Sequence, residues 1–207
     1  MISRMGPRYI LVAIVLGLAL VAGIFVALRT QEPAAPTSAL ILPEPEALPE
    51  FSRVDQHGRP VDRSVFKGQW DLVFFGFTHC PDICPATLQV LATAKATLAE
   101  QGQSPLPRIV LVSVDPERDT PELMGRYVDY FGAGNLGMTG TLAEVEKLTS
   151  GLGIYFRKQD SGNENYAVDH SAAVLLVDPQ GRFGALFSGP HVVDDYVRDL
   201  PLVMGGR

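Results

Sequence analysis

Hydrophobic and polar positions fall into three regimes along this chain. From Tyr9 to Leu28 every residue is apolar, small or aromatic, and none is charged. A helical run of that length can cross a hydrocarbon core about 30 Å thick. The next stretch, to about Glu50, places Pro33, Pro36, Pro43, Pro45 and Pro49 among Ala, Glu and Leu, which predicts an extended linker. From Phe51 onward, short apolar runs alternate with segments of helical periodicity.

In that third regime Phe51–Val54 and Pro60–Val61 flank the turn signal Asp55-Gln56-His57-Gly58, predicting a short hairpin. Asp71–Phe77 and Arg108–Val114 are continuous apolar runs, the pattern of buried central strands. Ala86–Ala99 repeats Leu88, Leu91, Ala92, Leu98 and Ala99 on one helical face. Thr120-Pro121 supplies an N-cap and a proline at the first helical position, and Thr141-Leu142-Ala143-Glu144 has the form of a capping box. Strands are predicted at Ile154–Arg157, Ala172–Val177 and Arg182–Phe187, the last two joined by the Asp178-Pro179-Gln180-Gly181 turn. Asp194 and Asp195 suit the first turn of a terminal helix. Alternating elements of this kind make an α/β domain in three layers around a mixed sheet.

The division predicted is a membrane anchor over 1–29, a Pro-rich linker over 30–49 and one domain over 50–207. An uncleaved anchor fits better than a signal peptide, whose apolar core is about 7–15 residues. No A-x-A cleavage pattern follows the run, and no cysteine lies near it to carry a lipid. Arg4 and Arg8 precede the run, whereas Arg29 alone follows closely, with Glu32 behind it. The positive-inside rule therefore leaves the N-terminus in the cytoplasm and carries the domain across. In a bacterium this is a single-pass inner-membrane protein with a periplasmic, oxidising environment for its domain. The chain holds 17 basic and 23 acidic residues, net −6, with no basic stripe, which excludes nucleic-acid binding.

The chain has two cysteines, Cys80 and Cys84, in Phe77-Thr78-His79-Cys80-Pro81-Asp82-Ile83-Cys84-Pro85, between a predicted strand and a predicted helix. A thiol pair at such a junction is a redox couple or a soft-metal site. Three residues separate the cysteines, where thioredoxin-type redox motifs have two. If the segment is helical at its start, the pair is i and i+4 on one face. Two sulfurs can then converge on one ion, or close a disulfide after modest adjustment. A third ligand has to come from a histidine. His57 lies in a turn and His79 is expected to face away from Cys80. His191 lies in a loop before the last helix, and His170 sits at a strand end that can swing towards the cysteines. Asp115 and Asp119 read mainly as a turn former and a neighbour of a helix cap, and Asp169 as a group able to orient His170. Met124, Met138, Phe75 and Phe77 read as core.

The segments FFGFTHCPDICPATL (74–88), VSVDPERDTPE (112–122) and DHSAAVLLVDPQGRF (169–183) resemble, in order and interval, three signatures of the Sco/SenC family of membrane-anchored copper-binding proteins. The resemblance covers residues 50–205 and implies a thioredoxin-like fold. It implies one copper ion per chain, Cu(I) or Cu(II), on Cys80, Cys84 and His170. Soft thiolates favour Cu(I), and thiolate with imidazole accommodates Cu(II); a structural zinc site would want a fourth protein ligand. The implied role is a copper metallochaperone for the CuA centre of cytochrome c oxidase, with a copper donor protein and the oxidase's copper-bearing subunit as partners. The alternative is a thiol-disulfide oxidoreductase that uses Cys80 and Cys84 as a redox-active pair to reduce a copper-receiving partner. The first reading requires His170 and makes the chain no enzyme in the usual sense. The second does not require the histidine.

Overall fold

The computed structural model describes residues 7–29, 35–159 and 166–205, and the chain divides into two units, residues 1–35 and 36–207. The first unit holds a single described helix, α1 (Pro7–Arg29). At 23 residues it is about 34 Å long, and its described apolar side chains, among them Leu11, Ile14, Leu18 and Ile24, are exposed. The side chains described on α1 are Arg8 and those of residues 11–24. Among the described residues no helix is long and apolar enough to cross a membrane.

The second unit runs β1 (Ala39–Ala47), β2 (Arg53–Asp55), β3 (Pro60–Val61), a 3-10 turn at Arg63–Phe66, β4 (Asp71–Gly76), α2 (Ile83–Glu100), β5 (Arg108–Ser113), α3 (Pro121–Tyr130), β6 (Leu136–Thr139) and α4 (Leu142–Gly151). It continues through β7 (Phe156–Lys158), β8 (Val168–His170), β9 (Val174–Val177), β10 (Arg182–Phe187) and α5 (Val193–Gly205). Eight strands form one mixed sheet in the order β1-β10-β9-β4-β5-β6-β2-β3, and β7 and β8 form a separate pair. β4, β5 and β6 are parallel, while β9 runs antiparallel to β4. Every residue of β4 is buried: Asp71 at its start is paired with Arg108 at 2.7 Å, and the apolar residues after it suit a central strand covered on both faces. α2 packs against β5 and α5, and α3 against β6. Leu88 and Leu91 of α2, Met124 of α3 and Tyr196 of α5 enter the core around Phe74, Phe75 and Leu111. Phe77, Met124 and Met138 are core residues, as their pattern predicts.

Two expectations change here. Residues 39–47, read as linker from their prolines, form the edge strand β1, paired with β10 from Ala39↔Phe187 to Ala47↔Arg182. The register breaks between Ile41 and Glu46, and the break spans Pro43 and Pro45. An edge strand with an irregular register is where proline's missing N–H is tolerated. The compact unit therefore begins near residue 36 rather than 50, and residues 30–34 of the expected linker lie outside the described residues. A buried carboxylate holds the entry to β1: Asp199 Oδ2 accepts from the amides of Thr37 (3.1 Å), Ser38 (2.7 Å) and Ala39 (2.8 Å).

The second change concerns the capping box. Thr141 Oγ1 does accept from the Glu144 amide at 3.4 Å. The Glu144 carboxylate accepts instead from the Ser52 amide at 2.7 Å, so the reciprocal half of the motif becomes a tie to the segment before β2. Thr120 caps α3 with Pro121 at its start, as the sequence predicts. β6 and β8 are additional to the predicted elements.

Candidate metal centre

β4 ends at Gly76, and the chain turns through Thr78 and His79 before α2 begins at Ile83. A buried carboxylate from the loop that follows the neighbouring parallel strand β5 fixes this turn. Asp119 accepts from the Thr78 amide (3.2 Å), the Thr78 hydroxyl (2.6 Å) and the Ser113 hydroxyl (2.6 Å). Burial pushes the Asp119 carboxyl up from its ordinary value, and these hydrogen bonds oppose the rise. Asp115 is held in turn by Arg118 and by the Tyr166 hydroxyl (2.6 Å), with the Arg118 guanidinium 3.6 Å from the centre of the Tyr166 ring. Asp115 and Asp119 thus act on the backbone and side chains around the turn, and neither belongs to the Cys80, Cys84 and His170 group that could hold a metal among the described residues.

Cys80 precedes the helix and Cys84 lies in its first turn. The i,i+4 stacking expected of a continuous helix is therefore replaced by another contact. The Cys84 amide, one of the N-terminal donors without an intrahelical acceptor, points at Cys80 Sγ at 3.4 Å. Asp82, at the N-cap position, makes no side-chain cap, so the Cys80 sulfur receives this helix-end donor. Both thiols are free, Cys80 half-buried and Cys84 buried. The hydrogen bond from Cys84 is the largest cause that lowers Cys80 to about 5, with burial opposing it and the Asp82 and Cys84 amides and His170 assisting. The same shared proton and burial raise Cys84. The two sulfurs share one proton, and the shifts favour the thiolate on Cys80 over Cys84.

The third group arrives from the β7–β8 pair, where His170 is registered opposite Phe156. Its Nε2 lies 3.3 Å from Cys84 Sγ, and its Nδ1 lies 3.0 Å from the Ser171 carbonyl. A carbonyl only accepts, so Nδ1 carries the proton and Nε2 turns its lone pair to the sulfurs. Phe74 and Phe77 meet the ring edge-on, with centroids 5.7 and 5.9 Å away. The ligand atoms of Cys80, Cys84 and His170 all lie within 4.8 Å of one another. Two sulfurs and one imidazole lone pair at that spacing can close on one soft ion.

The sequence reading singled out these three residues and the structure brings them together. The others lie elsewhere. His79 faces Thr78 and Asp119, and His57 lies in the β2–β3 turn. Asp169, expected as a possible orienter of His170, accepts from Gln159 Nε2 on the opposite side of β8. Gly76 was not anticipated. A Cβ there would lie 2.9 Å from Cys84 Sγ and 2.9 Å from a Phe74 ring carbon, so the buried sulfur occupies the room this glycine leaves. A glycine ending an otherwise bulky apolar strand was the available signal.

Sheet, helices and the cysteine–histidine cluster define a thioredoxin-like protein with a soft-metal site. The family model described as SCO1/SenC matches residues 42–204, and the chain belongs to that family. Arabidopsis thaliana ScoI, solved with copper bound, is 35% identical, with a TM-score of 0.68 over 73% of this chain and 94% of that one. Bradyrhizobium japonicum ScoI, also solved with copper bound, is 32% identical, with a TM-score of 0.63 over 75% and 99%. The mouse mitochondrial SCO2 homolog is 40% identical over 152 residues, which are 73% of this chain and 60% of the mouse protein. The chain thus spans less than two thirds of that relative's length.

Proposed function

We propose that this protein is a membrane-anchored copper metallochaperone. It holds one copper ion, as cargo, on Cys80 Sγ, Cys84 Sγ and His170 Nε2, and serves maturation of the CuA centre of cytochrome c oxidase. The observation that carries the reading is the convergence of those three atoms, with the His170 lone pair already turned inward by the Ser171 carbonyl. Copper in solved relatives of 32–35% identity supports the choice of metal. Three protein ligands leave a coordination position from which an acceptor's donor group can take the ion. The partners are the copper-bearing oxidase subunit and a copper donor. The proposed anchor rests on the sequence: the run Tyr9–Leu28 holds no charged residue and is of a length that a hydrocarbon core takes up. With the N-terminus cytoplasmic, the copper domain lies in the bacterial periplasm.

A second reading rests on the unequal cysteines. A thiolate at Cys80 backed by a protonated Cys84 is the arrangement of an attacking and a resolving thiol, which would let the pair reduce a partner's disulfide. The two readings separate in an anaerobic Cu(II) titration of the reduced full-length chain, followed by thiolate-to-copper charge-transfer absorption. The chaperone reading expects saturation at one ion per chain and its loss in His170→Ala. Oxidation to a disulfide without a stable coloured complex would favour the reductase. A His170→Ala protein that holds Cu(II) as wild type does would remove His170 from the ligand set.

A further inference from the structure

The segment that presents His170 is fixed from two sides. On one side Ser171 is tied to Tyr155, its amide donating to the Tyr155 carbonyl (2.9 Å) and its hydroxyl accepting from the Tyr155 amide (3.0 Å). On the other side stands a second histidine. His191 Nε2 lies 2.5 Å from the Ala172 carbonyl, and its Nδ1 lies 2.7 Å from the Tyr196 hydroxyl. Because a carbonyl only accepts, Nε2 carries the proton, and Nδ1 accepts from the tyrosine. Both ring nitrogens are then satisfied in the neutral form, and burial lowers this histidine's pKa further from charging. Tyr196 is in turn fully buried and stacked on Phe187 of β10, with ring centroids 4.3 Å apart.

We infer that His191 is a positioning residue for the metal site, holding the His170-Ser171-Ala172 segment through the Ala172 carbonyl and anchoring it to the C-terminal helix through Tyr196. His191 is not a ligand, since it lies outside the cysteine–histidine group. Its effect passes along one residue of backbone, from the Ala172 carbonyl to the Ser171 carbonyl, which sets the His170 tautomer. Groups that orient a metal-binding histidine from outside typically change affinity by about 10–100-fold when removed. The inference rests on the proposed ligand role of His170.

The test compares full-length wild type, His191→Ala, His191→Gln and His170→Ala, loaded anaerobically with Cu(II) and separately with Cu(I). Affinity, the charge-transfer spectrum and the EPR hyperfine splitting are read for each, with thermal unfolding alongside. Glutamine keeps a donor near the position of Nε2. The expected result is Cu(II) affinity about 10-fold weaker in His191→Ala, with altered spectra, and largely restored in His191→Gln. Cu(I), which the two thiolates hold without imidazole, should change much less in His191→Ala. The thermal unfolding curve shows that the variant is folded. Wild-type Cu(II) affinity and spectra in His191→Ala overturn the inference while leaving the ligand set intact if His170→Ala has lost Cu(II). Equal loss in His191→Ala and His191→Gln, or parallel loss of Cu(I), overturns it as well, because simple packing then explains the effect. Undisturbed Cu(II) in His170→Ala overturns both the inference and the reading beneath it.

Discussion

The cysteine half and the histidine half of the site are built in opposite ways. Cys80 and Cys84 lie four residues apart at a strand-to-helix turn, and the contact between them is local, through the Cys84 amide. Beneath them is the central sheet, with Gly76 under the buried sulfur and Asp119 holding Thr78. His170 is 86 residues from Cys84 in sequence. It stands on the short β7–β8 pair outside the main sheet and is held at its edges by Tyr155, His191 and two phenylalanine rings. The thiolate half is thus a property of the core, whereas the imidazole half is a tertiary arrangement that can be disturbed without unfolding it. In copper chemistry this division corresponds to oxidation state: two thiolates suffice for Cu(I), and the imidazole matters most for Cu(II).

The largest break in this comparison comes from Cys84→Ser. It is expected to abolish tight binding of both Cu(I) and Cu(II), where His170→Ala spares Cu(I); competition against a chelator of known affinity measures both. Retained Cu(I) in Cys84→Ser would mean that the thiol pair does not act as one unit. Asp119→Ala should come next. It strips the acceptor from the Thr78 amide and from the Thr78 and Ser113 hydroxyls, at about 1–3 kcal/mol for each buried donor left unpaired. Chemical denaturation reads that loss, and Cu(I) affinity should fall with it because the turn carries Cys80. Gly76→Ala should destabilise by about 1–3 kcal/mol through overpacking. It should weaken Cu(I) and Cu(II) together, since the added methyl meets Cys84 Sγ rather than His170.

The smallest effect sharpens the comparison through pH. Cys80 is lowered to about 5 chiefly by Cys84, with His170 the last of its causes. Alkylation of Cys80 should therefore stay near its plateau as pH falls from 8 and drop only as the thiolate protonates near pH 5. An ordinary thiol would lose reactivity below about pH 8.5. Mass-spectrometric rates for wild type and His170→Ala should show almost the same midpoint. A rise towards 8 in the variant would show that the histidine half, not the Cys84 thiol, sustains the thiolate.

The same division explains what could be read in the sequence. β4, β5, the α3 cap and the cysteine pair depend on nearest neighbours and continuous apolar runs, so pattern alone reveals them. β1 was hidden because Pro43 and Pro45 look like linker until the chain is seen at an edge, where missing amides cost nothing. β6 is four residues with a glycine among them, too short to carry a period. β8 exists through its pairing with β7. His170 was legible through its motif, but its tautomer follows from a carbonyl contact that no spacing encodes. His191 looked like one more loop histidine because one of its partners is a backbone carbonyl, that of Ala172 in the β8–β9 loop, and the other is Tyr196 of α5.

The carboxylate of Asp199, bonded to the amides of Thr37, Ser38 and Ala39, has a consequence for the order of assembly. Those partners are 160–162 residues apart in sequence, and β1 pairs with a strand that ends at Phe187. During synthesis the N-terminal segment emerges first, yet the edge it belongs to does not exist until β10 and α5 have followed. Such distant closure comes late in folding. The first residues of the domain to be made are therefore among the last to be fastened, and α5 is the clasp that completes the sheet.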